Sequence, residues 1–250
     1  MSFTGVIPAR YASSRFPGKP LAIIGGRPMI QRVYEQASKI LAEVYVATDD
    51  ERIYSCVAGF GAKAIMTSSG HSSGTDRCAE AALRIENETG RKIDVIVNIQ
   101  GDEPFIKPEQ IEALMNCFTG KDVEIATLIR KVEAGEDLFN PNHPKVIVNS
   151  AGEAIYFSRS VIPFIRNSEP PEWTEQHTFF KHIGLYAYRA ETLHKITKLP
   201  QSPLEIAESL EQNRWIENRH KIMTAITGWE SMGIDTPGDL EKANRFIEKQ

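Results

Sequence analysis

Three cations, Arg10, Arg15 and Lys19, share one short stretch with the small residues Ala12, Ser13, Ser14 and Gly18. An apolar run, Thr4 to Ile7, precedes them and reads as an interior strand that Pro8 stops. Cations beside exposed backbone N–H groups at the carboxyl end of a strand outline a polyphosphate site. A solvated basic loop has the same composition. The glycines follow neither GxxxxGK[ST] nor GxGxxG, so the kinase-type P-loop and the dinucleotide fingerprint do not apply.

Acids stand at two other places. Asp102 and Glu103 lie directly beyond the most apolar strand, Asp94 to Gln100, where a hard cation or a helix cap near Pro108 are both open readings. Asp235 precedes Thr236 and Pro237, and its plainest role is to cap the last helix. In SSGTDR, residues 72–77, Ser73, Gly74 and Thr75 offer hydroxyls and open backbone, with Arg77 at a helix start; Thr75 or Asp76 can equally serve as a cap. His182 and Tyr186 are an even number of residues apart, so on one strand they share a face. His71, His143, His194 and His220 are scattered without HExxH or zinc spacing, and no GxSxG serine is present.

These side chains need a scaffold. Ile30, Val33, Tyr34, Ala37 and Leu41 form a stripe at helical spacing after Pro28, and Val44 to Ala47 reads as a strand covered on both faces. Asp50 can cap a helix from Glu51 that ends at Gly59 to Gly61; a short strand, Lys63 to Met66, follows, then a helix with Cys78, Ala81, Ala82 and Ile85 inward. Strand and helix alternate with short connections, which is the doubly wound pattern, and right-handed crossovers put Pro8, Thr48 and Gln100 on one rim. Pro108 opens another helix, and Glu124 to Lys131 is a strand. Between 141 and 190 the pattern becomes mixed: two short strands around Ala151 and Gly152, a Pro- and Trp-containing excursion, then the strand GLYAYR. A helix opens at Pro203 with Leu204, Ala207, Leu210 and Trp215 able to face the core, and the last helix begins near Pro237. A three-layer α/β fold with a mostly parallel sheet and a mixed or antiparallel addition is expected.

With 250 residues, 41% hydrophobic and 25% charged, the chain can bury a full core as one domain, 1–250, carrying 141–190 as a subregion. A net charge of -4 argues against coating nucleic acid or anionic membrane. Cys56, Cys78 and Cys117 read as free thiols in a reducing compartment, and no stretch reaches membrane-spanning length, so a cytoplasmic protein is expected.

IPARYASSRFPGKPL at 7–21, YVATDD at 45–50, SSGTDR, NIQGDEPFI at 98–106, LFNPNHPKV at 138–146, YFSRSVIP at 156–163, KHIGLYAYR at 181–189, SPLEIAESLEQNR at 202–214 and GIDTPGDLE at 233–241 occur in order. Together they resemble the 3-deoxy-manno-octulosonate (Kdo) cytidylyltransferases, the CMP-Kdo synthetases, over essentially the whole chain. The resemblance implies a Rossmann-like nucleotidyltransferase sheet. It implies that Arg10, Arg15 and Lys19 hold the triphosphate of CTP, that Pro8, Ala9, Ser73 and Gly74 lie beside the cytosine, and that Asp102 and Asp235 coordinate Mg2+. Lys19, Asp102, Asp235 and Arg15 are then the catalytic set. Arg77 is expected to reach the sugar's carboxylate, with Gln100, Arg159, His182, Tyr186, Glu211 and Gln212 as further sugar contacts. CTP and Kdo are the implied substrates, CMP-Kdo for lipopolysaccharide synthesis the product, and a homodimer through the middle region the implied assembly. A cytidylyltransferase for the 8-amino analogue of Kdo or another ulosonate, and a non-catalytic nucleotide-sensing protein, are the alternatives.

Overall fold

The computed structural model describes residues 1–12, 15–120, 122–230 and 232–248. The chain opens with β1 (Phe3–Ala9), a tight hairpin of β2 (Ile23–Ile24) and β3 (Arg27–Pro28), and α1 (Met29–Ala37). Then follow β4 (Glu43–Thr48), α2 (Glu51–Gly59), β5 (Lys63–Met66), α3 (Gly74–Thr89), β6 (Val95–Asn98) and α4 (Pro108–Cys117). Next are β7 (Ile125–Lys131), β8 (Lys145–Val148), β9 (Ala154–Ser158), α5 (Trp173–Gln176), β10 (Phe180–Arg189) and α6 (Ala190–Ile196). The chain closes with α7 (Pro203–Glu208), α8 (Glu211–Glu217), β11 (Ile222–Ile226) and α9 (Pro237–Ile247). Two compact units result: Met1–Glu112 with Ala187–Thr197 and Ser231–Gln250, and Ala113–Tyr186 with Lys198–Glu230.

In the first unit the strands run β6-β1-β4-β5, all parallel. Val6, Ile7, Val46, Ala47 and Val95 to Val97 are fully buried, as two-sided covering by helices requires. α1 and α2 bury Ile30, Val33, Ile53 and Val57, and α3 buries Cys78, Ala81, Ala82 and Ile85. Asp50 caps α2, its side chain accepting from the Arg52 N–H at 2.9 Å.

Pro8 does not end β1, contrary to its expected role as a stop. β6 pairs with β1 only from Phe3 to Val6, whereas β4 continues alongside to Ala9. The Val6 carbonyl accepts from Ile99 N–H at 3.0 Å, so Val6, and with it Pro8 two residues on, faces the β6 side, where that strand has run out. The absent N–H of Pro8 therefore leaves no ladder bond unmade.

A separate cluster, Ile24, Met29, Ile234 and Ala243, joins the hairpin to α9, with Phe16, Phe105, Leu240 and Ile247 packed around it. The cap of α9 is Thr236, whose side chain accepts from Asp239 N–H in a capping box. Asp235 is released from the capping role expected of it. α3 is likewise capped by Ser73, accepting from Asp76 N–H, and not by Thr75 or Asp76.

The second unit is the mixed region. β11 lies parallel to β7, β10 follows β7 in order, and β8 is antiparallel to β10 and to β9. Gly152, at φ 81, makes the β8–β9 turn. The expected single helix from Pro203 is two, because Ser209 takes φ 51 and breaks it into α7 and α8. Leu204 and Ala207 consequently face solvent, while Leu210 and Trp215 are buried. Trp173 and Phe179, ahead of β10, pack with Val132 and Leu138 from the β7–β8 connection in a separate core.

Candidate active site

At the carboxyl ends of β1 and β6, the first unit holds a cleft of about 220 Å³. Pro8, Ala9, Arg10, Arg15, Lys19, Ser73, Gly74, Arg77, Gln100, Asp102 and Asp235 line it, so every nucleotide- and metal-binding residue expected from the sequence meets there. Ser13 and Ser14 lie outside the described residues. Gly18, at φ 71, turns the loop so that its N–H reaches the Tyr11 carbonyl at 2.9 Å, and Lys19 starts a short 3-10 turn pointing inward. Gly101 permits the close pass of the two strand ends, since a Cβ there would sit 2.9 Å from the Pro8 carbonyl oxygen.

The two acids meet around a cation. Lys19 Nζ donates to Asp102 Oδ2 at 2.7 Å and to Asp235 Oδ1 at 3.1 Å, and Arg15 reaches the same Asp235 oxygen at 3.2 Å. The Ile234 N–H donates to the Asp102 carbonyl at 2.9 Å, which fixes the two acidic segments to each other through the backbone. Lys19 is 13% exposed, so its pairing is enclosed, whereas Arg15 is 67% exposed and its pair is worth little by itself. Arg10 is exposed and has no partner among the described residues. Two carboxylates already converging on one ammonium form an oxygen donor set that suits a hard divalent cation completed by phosphate and water. No cluster of three or more His, Cys, Asp or Glu side chains with metal-binding geometry occurs among the described residues.

The wall opposite is built by α3 and the loop before it. Arg77 is 4% exposed, and its guanidinium bonds Thr67 Oγ1 at 2.6 Å and the Ser68 carbonyl at 3.3 Å, with Asp49 Oδ2 at 3.2 Å. The guanidinium expected to reach the sugar carboxylate thus already has a carboxylate of the protein. His71 also lines the cleft and was passed over in the sequence as one of several scattered histidines. Its Nε2 bonds Glu80 Oε2, which also accepts from Ser68 N–H at 2.9 Å, while Glu80 Oε1 accepts from Arg84 Nε at 2.7 Å. Burial alone would raise the Glu80 carboxyl, but the Ser68, His71 and Arg84 bonds outweigh it and hold it at about 2. The sequence signal for His71 was its place just ahead of SSGTDR, too weak without the fold. Gln100 Nε2 donates to Asn98 Oδ1 at 3.3 Å.

Arg159, His182, Tyr186, Glu211 and Gln212 all belong to the second unit. Arg159 donates to three backbone carbonyls, those of Glu208 at 2.7 Å, Pro141 at 2.9 Å and Ser209 at 3.3 Å, which orient the fork, while the Glu208 carboxylate, accepting from Arg159 N–H at 2.9 Å, lies within electrostatic reach of it. His182 and Tyr186 share one face of β10 as expected, with ring centroids 5.3 Å apart. His182 Nε2 meets Thr127 Oγ1 at 2.9 Å, that hydroxyl donates to the Leu185 carbonyl at 2.9 Å, and desolvation pushes the imidazole down to about 3, so it is neutral at ordinary pH. Burial, reinforced by the Glu211 charge, raises the Tyr186 phenol well above its usual range. Glu211 accepts from Arg214 at 2.7 Å, and Gln212 is buried with its Nε2 unbonded among the described residues.

Residues 4–222 match a family model described as cytidylyltransferase. The 3-deoxy-manno-octulosonate cytidylyltransferase of Parabacteroides distasonis is 59% identical, covering 99% of this chain and 98% of that protein. That of Bacteroides thetaiotaomicron is 56% identical over 100% of both. Among solved structures, a CMP:2-keto-3-deoxy-manno-octonic acid synthetase complexed with CTP superposes with a TM-score of 0.89 at 42% identity, covering 100% of this chain and 99% of the other. Its fold matches the mixed α/β architecture found here. With a full-length match to these relatives at more than half identity, the chain belongs to the 3-deoxy-manno-octulosonate cytidylyltransferase family, the CMP-Kdo synthetases.

Proposed function

We propose that this chain transfers CMP from CTP to 3-deoxy-D-manno-octulosonate, releasing pyrophosphate and supplying CMP-Kdo for lipopolysaccharide synthesis. The observation that carries the reading is the convergence of Asp102 and Asp235 on Lys19 in a cleft that also holds Arg10 and Arg15. The anomeric 2-hydroxyl oxygen of the sugar forms the bond to the α-phosphorus and gives up its proton to solvent water; the bond from that phosphorus to the β-phosphate bridging oxygen breaks, and pyrophosphate leaves on the opposite side carrying the electron pair. Arg10 and Arg15 suit paired phosphate oxygens, and Lys19 acts as a compact charge within the cleft. Asp102 and Asp235 would hold Mg2+, which when bound supplies charge neutralisation on the triphosphate. What remains for the protein is alignment and preorganised charge, as expected of phosphoryl-type transfer.

Pro8, Ala9, Ser73 and Gly74 are assigned to the base, and Gln100 to the sugar. The bonds of Arg77 to Thr67 and Ser68, with Asp49 already paired to its guanidinium, favour a role for Arg77 in holding the start of the 67–73 loop rather than a bidentate grip on the sugar carboxylate. In the second unit the sugar assignment rests on the carbonyl-oriented fork of Arg159, the His182 and Tyr186 face, Glu211, and the unbonded Gln212 Nε2. We assign the protein to the cytoplasm, where CTP is available and its three free cysteines stay reduced. Within a single nucleotidyltransferase domain, residues 141–190 are proposed as the homodimer contact, supported by Ile155 and Phe164, which are 51% and 74% exposed.

The test is pyrophosphate release by the purified protein with each of the four ribonucleoside triphosphates, against Kdo, its 8-amino analogue and other ulosonates. Turnover with CTP and Kdo well above every other pair is the expected result. Equal turnover of several triphosphates, or none with Kdo, overturns the assignment.

A further inference from the structure

The loop between β1 and the β2–β3 hairpin carries Arg15 and Lys19 into the cleft, and a ring that does not line the cleft holds that loop in place. Tyr11 has two partners. One is Gly18, whose N–H donates to the Tyr11 carbonyl at 2.9 Å and where an added Cβ would stand 3.1 Å from Cε2 and Cζ of the ring. The other is Arg52 in the first turn of α2, whose guanidinium carbon lies 3.3 Å from the ring centroid. That guanidinium is itself fixed. Its Nε donates to Asp50 Oδ1 at 2.9 Å and its Nη2 to Oδ2 at 2.6 Å, a two-pronged grip by the same carboxylate that caps α2.

A guanidinium held in one orientation by a carboxylate can lay its flat face on an aromatic ring with little further loss of freedom, and the contact is attractive. An unbroken series of contacts then runs from α2 through Tyr11 and Gly18 to Lys19, whose ammonium meets Asp102 and Asp235. The loop needs such support. Ala12, Ser13, Ser14 and Gly18 bring no large side chain to pack, and ordering the segment at the moment of binding would cost nucleotide affinity. Holding the binding arrangement in advance removes that cost.

We propose that Tyr11 and Arg52 are positioning residues for the triphosphate: stacked on each other, they clasp the cationic loop to α2 and keep Arg15 and Lys19 set for the nucleotide. Neither lines the cleft, so both act through the loop. The identity of the ligand rests on the cytidylyltransferase reading, whereas the clasp rests on the stacked pair.

The experiment titrates CTP with Mg2+ into the protein by calorimetry without sugar, and measures kcat, KM for CTP and for Kdo, and thermal melts. The proteins compared are the wild type, Tyr11→Phe, Tyr11→Ala, Arg52→Met and the double variant of Tyr11→Ala with Arg52→Met. Tyr11→Ala and Arg52→Met should each raise the Kd for CTP by roughly 3 to 10-fold, the worth of one stacked cation, with KM for Kdo and the melting temperature near wild type. Tyr11→Phe should bind CTP as the wild type does, because the face of the ring survives. The double variant should be no weaker than the weaker single one, since either change opens the same clasp. Without any ligand, trypsin should cut after Arg15 faster in Arg52→Met than in the wild type. Unchanged CTP affinity and unchanged cleavage at Arg15 in folded Arg52→Met overturn the proposal, as do losses that add in the double variant or that weaken Kdo use equally. A wild type that binds no CTP would refute the cytidylyltransferase reading itself, while the cleavage at Arg15 still decides the clasp.

Discussion

Lys19 is the side chain on which the site's charge balance turns, because its ammonium pairs with both Asp102 and Asp235, whereas Arg15 reaches Asp235 only. Asp102→Asn and Asp235→Asn should each lower turnover by about 10²-fold or more while the thermal melt stays near wild type, since both positions are partly exposed. A folded variant of either with near-normal turnover across a Mg2+ titration contradicts the metal assignment. Arg77 behaves differently. Removing it leaves Asp49 largely buried beside an empty space, and breaking a buried pair in this way costs about 3 to 5 kcal/mol. Arg77→Ala should therefore show a large stability loss in urea unfolding; normal stability with a selective rise in KM for Kdo would return Arg77 to the sugar carboxylate.

At the scale of elements, the cleft depends on α9 being held against the β2–β3 hairpin. Ile234 is 1% exposed and its neighbour Asp235 is one of the two acids, so packing and function are linked through a single peptide. Ile234→Ala should cost about 2 to 5 kcal/mol, whereas Thr236→Ala, which removes only the helix cap, should cost about 1 kcal/mol. Equal effects in chemical denaturation would mean that the Ile24, Met29, Ile234 and Ala243 cluster does not fix this segment. The parallel strands and their helices were legible in the sequence because apolar runs and stripes report two-sided burial directly, and the cationic loop was legible from its composition. What escaped was decided by long-range partners. Asp235 reads as a cap until Thr236 is seen to do that work, Pro8 reads as a stop until β6 is seen to end first, and His71 is one more histidine until Glu80 meets it. The break at Ser209 was hidden because a serine at φ 51 has no local signature.

For the whole molecule, two depressed ionisations predict acid sensitivity in a definite window. His182 is held at about 3 against an ordinary 6.5, and Glu80 at about 2 against 4.5. In both cases the unfolded chain binds the proton first, so each contribution is complete above the ordinary value and is lost as pH falls toward the folded one. The melting temperature should begin to fall below about pH 6.5, before Glu80 contributes, and His182→Phe should flatten the part between about pH 6.5 and 4.5. An unaltered slope in that variant would mean that the imidazole is not shielded as described. No helix among the described residues is long and apolar enough to cross a membrane. The most direct test of the account is ³¹P NMR of the protein with CTP, Kdo and Mg2+. Pyrophosphate and a CMP-sugar phosphodiester should appear together in equal amounts and only when both substrates are present. Pyrophosphate or CMP formed without the phosphodiester, or no change in the CTP resonances, would contradict it.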